Sequence, residues 1–63
     1  MSYADKRRAA IIEYARQYAR EHDRPPTLRE IADGVGMRST SGVHYHLKTA
    51  GMLRLIRQTS KTL

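Results

Sequence analysis

His44 and His46, two residues apart, are the side chains in this sequence with the most evident capacity for chemistry. An H-x-H pair invites a metal reading, and helical geometry argues against it. Residues two apart on a helix point about 200° away from each other, so both rings cannot reach one ion. A closed site would need further ligands, and the chain has no cysteine and no acid after Asp33. His46 is therefore expected to be a buried, hydrogen-bonded ring packed beside Leu47, and His44 an outward one. Around them stand Ser39, Thr40, Ser41, Gly42, Tyr45 and Lys48, small or polar groups suited to contact rather than catalysis. No acid pair, nucleophile–base set or metal cluster is spaced for assembly, so no enzymatic activity, cofactor or small-molecule substrate is expected.

Charge adds a direction. The chain has 63 residues, 12 Lys+Arg, 6 Asp+Glu and a net charge of +6, with a pI near 10.3. Residues 1–26 mix Lys6, Arg7, Arg8, Arg16, Arg20 and Arg24 with Asp5, Glu13, Glu21 and Asp23. Arg29, Glu30 and Asp33 follow. Beyond Asp33 there are only cations: Arg38, Lys48, Arg54, Arg57 and Lys61. One-signed charge over half a chain is the footprint of a polyanion partner, the alternative being a basic surface that only aids solubility. The length fits one domain, too small to enclose a substrate cavity of ordinary size. Without cysteine its core must be apolar packing. No apolar run approaches the roughly 18–20 residues of a membrane span, and no signal peptide is evident, so a soluble, cytosolic domain is expected.

Three helices must position these groups. Ile11, Ile12, Ala15, Tyr18, Ala19 and His22 recur at helical spacing, predicting a first helix over about 5–22 with Asp5 as N-cap, or Ser2 one turn earlier. Lys6, Arg7 and Arg8 oppose the dipole of that helix: either the cost is tolerated, or they face an outside anion. Tyr18 belongs to the inward face; Tyr14 is either core or an anchor on a partner surface. Pro25–Pro26 stop the helix, with Asp23 able to turn left-handed. Thr27-Leu28-Arg29-Glu30 spells a capping box for a second helix over about 28–35, closed by Gly34 and Gly36. Ser39 caps a third helix over about 39–50, with Val43, His46, Leu47 and Ala50 inward and Ser41, His44, Tyr45 and Lys48 outward. After Gly51, the alternation of Leu53 and Leu55 with Arg54 and Arg57 reads as a short strand. Residues 52–63 would then form a small β wing.

Two short helices joined by a turn containing Gly36 form a helix-turn-helix, whose second helix enters the major groove of DNA by its N-terminal end. The small residues Ser39 to Gly42 suit close approach. Gly42 within a helix costs about 0.5–1 kcal/mol against Ala, which calls either for DNA contact or for a tight helix–helix contact. The run Pro25-Pro26-Thr27-Leu28-Arg29-Glu30-Ile31-Ala32, then Val35-Gly36-Met37-Arg38-Ser39, then Val43-His44-Tyr45-His46-Leu47-Lys48 resembles the N-terminal DNA-binding domain of the LexA repressor family. The likeness is collinear from about Asp5 to Lys48 and resumes at Gly51-Met52-Leu53.

The resemblance implies a mainly α, three-helix winged helix-turn-helix over residues 1–63. It also implies sequence-specific binding of double-stranded operator DNA, with repression of transcription. On matching positions it carries base reading to Ser39, Ser41, Gly42, His44 and Tyr45. Phosphate contacts are expected from Thr27, Arg29, Arg38, Lys48, Arg54, Arg57 and Lys61, because positioning needs charge and donors rather than sequence precision. A palindromic operator would imply a homodimer on DNA, and a cytoplasmic, nucleoid-associated place in a bacterium or phage follows. Relative to the family, the chain lacks about three residues between His46-Leu47 and Gly51, so a third helix about one turn shorter is expected. The self-cleaving Ser/Lys peptidase domain of larger members is not matched, and the adjacent Ser60 and Lys61 are not such a dyad. The alternative function is a protein-interaction module on the same fold, anchored by Tyr14 and Tyr18, that modulates a larger regulator or polymerase.

Overall fold

A computed structural model describes residues 2–57. Helix α1 spans Tyr3–His22, α2 Leu28–Val35 and α3 Thr40–Thr49, followed by a 3₁₀ turn over Leu53–Leu55. Each boundary has a local cause. Ser2 rather than Asp5 caps α1: its hydroxyl accepts from the Asp5 amide at 3.2 Å. Asp5 thereby falls in the first turn, where its charge suits the helix dipole. Asp23 ends α1 in the left-handed region, at φ 57°, and Gly36 ends α2 at φ 78°. The capping box is complete. The Thr27 hydroxyl accepts from the Glu30 amide at 3.1 Å, and Glu30 accepts from the Thr27 amide at 2.8 Å.

All three helices meet on one apolar cluster: Ile11 and Ala15 from α1, Ile31 and Ala32 from α2, Val43 and Leu47 from α3, with Ile56 closing it from below the 3₁₀ turn. Each of the six helical members is at a position that helical spacing aims inward. Burial of this apolar surface, at about 25 cal/mol per Å², is the main stabiliser, since the chain has no cysteine to form a cross-link.

The expected strand over Met52–Arg57 is not found, and among the described residues there is no strand at all. Gly51 turns left-handed at φ 70°, and two i→i+3 hydrogen bonds follow, from the Leu55 amide to Met52 and from the Ile56 amide to Leu53. The reason is packing. With three residues per turn, Met52 and Leu55 share one face and Leu53 and Ile56 the next. All four then reach the core while Arg54 stays outside. A strand would have turned half of them to solvent. The remaining wing residues, Lys61 included, lie outside the described residues.

One of the three cations at the start of α1 serves another element. The Arg7 guanidinium donates to the Val35 carbonyl at 3.2 Å, and it lies over the Tyr3 ring while donating to that hydroxyl. A charge unfavourable to the N-terminus of α1 thus serves the C-terminus of α2, whose last carbonyls need donors. Arg8 is half-buried, with its Nε buried and without a hydrogen-bond partner.

The seam between α1 and α2 is equally specific. Gly34 lies inside α2 rather than closing it. A Cβ there would stand 2.2–2.6 Å from the Tyr14 ring, so the glycine makes room for the tyrosine. Tyr18 donates to Glu30 at 2.7 Å, and Arg24 reaches both, at 3.2 Å from Glu30 and 2.6 Å from the Tyr18 hydroxyl. His22 stacks on Tyr18 with centroids 4.1 Å apart.

Candidate nucleic-acid interface

Helix α3 is amphipathic in an informative way. Val43 and Leu47 anchor it to the core, which leaves Ser41, His44, Tyr45 and Lys48 on a continuous exposed arc. Tyr45 is 62% exposed. The arc contains two hydroxyl groups, one imidazole and one ammonium, and no carboxylate. Ten helical residues span about 15 Å, and the helix and its side chains match a groove about 12 Å wide.

Ser39 precedes the arc and caps the helix, its hydroxyl accepting from the Ser41 amide at 3.1 Å. It is exposed, and its own hydroxyl proton is left to donate. Gly42 is half-buried, and a Cβ there would stand 2.7 Å from the terminal methyl of Met37. The close contact behind this glycine is therefore with the inter-helix turn. His46 is half-buried with Tyr45 edge-on to it at 5.8 Å. Its Nδ1 is buried without a hydrogen-bond partner, so the expected hydrogen bond is not formed there.

Beside the arc runs an open cleft of about 500 Å³. Thr27, Leu28 and Arg29 supply one wall from the start of α2, Thr40 and His44 a second from α3, and Leu53, Ile56 and Arg57 the third. The walls are held by backbone: the Arg57 amide donates to the Pro26 carbonyl at 2.7 Å, and Pro26 is itself fully buried. Arg57 thus begins next to Thr27, although the two are far apart in sequence. Thr27 spends its acceptor on the capping box, while its proton can still donate outward. Arg29 has an ion pair with Asp33 at 3.5 Å, both largely exposed, and such a pair is worth little in water.

The structure therefore gathers Thr27, Arg29, His44 and Arg57 into one cleft and sets Ser41, His44, Tyr45 and Lys48 on the adjoining arc. His44 belongs to both. Arg38, in the turn, and Arg54, on the 3₁₀ turn, are exposed outside the cleft lining. Thr40, which the sequence marks only as a small residue suited to close approach, also lines the cleft, four residues before His44 and on the same flank.

Electrostatics distinguish this region from the α1–α2 seam. Glu30 is held at about 2, well below the usual carboxylate value of 4.5, by the Arg24 hydrogen bond first and then by the Thr27 amide and the Tyr18 hydroxyl. Its negative charge is consumed inside the α1–α2 seam. No helix of the described residues is long and apolar enough to cross a membrane.

Comparison with known proteins agrees with this geometry. The family model described as LexA DNA binding domain matches residues 1–62. The LexA repressor of Carboxydothermus hydrogenoformans is 48% identical over 48 residues, covering 76% of this chain and 22% of that protein. The LexA repressor of Brevibacillus brevis is 43% identical over 58 residues, covering 92% and 28%. That of Limosilactobacillus reuteri is 40% identical over 55 residues, covering 87% and 24%. The chain spans about a quarter of the length of these curated relatives. No solved structure matches it significantly. A capped helix pair, an outward third helix free of acids and a family match across nearly the whole chain lead to one conclusion: this chain belongs to the LexA DNA binding domain family.

Proposed function

We propose that this domain binds double-stranded operator DNA sequence-specifically and represses transcription, in the cytoplasm and on the nucleoid. The observation that carries the reading is the exposed, carboxylate-free arc of α3 beside a cationic cleft. Helix α3 enters the major groove by its N-terminal end. Ser39, Ser41, Gly42, His44 and Tyr45 meet base edges, Gly42 through its bare backbone. Thr27, Arg29, Arg38, Lys48, Arg54, Arg57 and Lys61 hold phosphates. Two copies bind a palindromic site as a homodimer on DNA.

The alternative, a protein-interaction module anchored by Tyr14 and Tyr18, loses support from the packing. Tyr14 covers Gly34, and Tyr18 is committed to Glu30 and Arg24.

Selection of bound duplexes from a random pool tests the reading directly. A consensus should emerge, and the slope of log K against log salt should be near −0.9 per neutralised phosphate. Failure of any duplex to be enriched, or a flat salt dependence, would overturn it.

A further inference from the structure

We infer that the cleft between α2, α3 and Arg57 is a built seat for one phosphodiester group, lodged on the strand that borders the groove read by α3. This rests on the DNA reading above and adds to it a single composite site with Thr40 as a member. The cleft of about 500 Å³ is lined by Arg29 from α2 and by Arg57 from beyond the 3₁₀ turn, together with Thr27, Thr40 and His44. No carboxylate lines it. Its remaining surface is aliphatic, which lowers the local dielectric and strengthens charge-assisted hydrogen bonds to an anion. The capping box takes the amides of Thr27 and Glu30, and the side chains of the cleft supply its charged and hydroxyl donors. The seat is preorganised. The Arg57 amide is tied to Pro26, Thr27 is fixed by its cap, and Thr40 and His44 stand one turn apart on α3. A phosphate held there fixes the sideways position of α3, because His44 faces both the seat and the base-reading arc. Register, rather than base preference, is what the seat confers.

The test uses a duplex recovered by the selection described above, with each phosphate replaced singly by an uncharged methylphosphonate. For the unaltered protein, one position per bound copy should weaken binding about tenfold. In Arg57→Ala that same replacement should cost nothing further, while replacements elsewhere keep their cost. Thr40→Val, which keeps the shape and removes the hydroxyl, should show a smaller coupling at the same position. Both variants should weaken the selected and a random duplex alike, and Arg57→Ala should reduce the magnitude of the salt slope by about 0.9. Because the Arg57 side chain is exposed, an unchanged unfolding midpoint is expected. Selection of a duplex without coupling at any phosphate would overturn the seat and leave DNA binding standing. No selected duplex at all would overturn both. Inorganic phosphate titrated into the free protein separates the source. Amide shifts confined to Thr27, Thr40, His44 and Arg57, in the absence of duplex coupling, would assign the cleft to a free anion and overturn the diester.

Discussion

The seam between α1 and α2 and the face formed by α3 with its cleft are built from similar residues put to opposite uses. Both contain tyrosine, arginine, histidine and hydroxyl groups. In the seam they answer one another: Arg24 and Tyr18 converge on Glu30, His22 stacks on Tyr18, and Arg7 donates to Val35. On the α3 face, the side chains of Arg38, Lys48, Arg54 and Arg57 enter no ion pair or hydrogen bond among the described residues. Polar groups satisfied within the fold contribute to holding it. Those left unsatisfied but hydrated contribute little to stability and retain their capacity for a partner. Acids make the difference, since all six precede α3.

Substitutions can test this division, beginning where the largest effect is expected. Gly34→Ala forces a Cβ into the Tyr14 ring and should cost about 1–3 kcal/mol in denaturant unfolding, the usual range for overpacking. In a Tyr14→Ala background the same change should become neutral or stabilising by about 0.5–1 kcal/mol, because only the helix propensity gain remains. An equal cost in both backgrounds would break the account of the seam. On the other side, Tyr45→Ala should leave the unfolding midpoint within about 0.5 kcal/mol, as exposed sites do. It should narrow the gap between selected and random duplexes by about 1–3 kcal/mol if its ring reads a base. Lys48→Ala should instead weaken both duplexes alike, and a competition binding assay distinguishes the two patterns.

Acid should act on the seam and spare the arc. The Glu30 carboxyl is lower in the folded chain than its ordinary 4.5, reaching about 2. The folded state therefore binds that proton less readily than the unfolded state. Its contribution to stability is fully present above about pH 4.5 and is lost as the pH falls toward 2. Urea unfolding between those limits should show a decline that Glu30→Gln flattens. The smallest change is expected from Gly42→Ala. Its Cβ displaces only the flexible end of Met37, so the helix should gain up to about 0.5–1 kcal/mol. Weaker duplex binding alongside that gain would locate the glycine's value in close backbone approach to DNA.

What was readable in advance follows the range of the interactions involved. The capping box at Thr27 and Glu30, the left-handed Asp23 and Gly36, and the split of α3 into inward Val43 and Leu47 and outward Ser41, His44, Tyr45 and Lys48 depend on near neighbours along the chain. The strand assigned to Met52–Arg57 failed because alternation was only one way to distribute its apolar residues, and the core needed Met52, Leu53, Leu55 and Ile56 together. Gly34 looked like a terminator until the ring of Tyr14, from the preceding helix, was found lying against it.

From the order of residues alone came the caps, the helical periods, the acid-free second half and the likeness to a DNA-binding family. Only the folded chain decided that Arg7 serves another helix and that Arg57 stands beside Thr27. The same holds for Thr27 and Thr40, which line one cleft. Short-range hydrogen bonds and helical periodicity are set by neighbours along the chain. Which walls come together is set by how three apolar faces share a single core, and no local pattern specifies that.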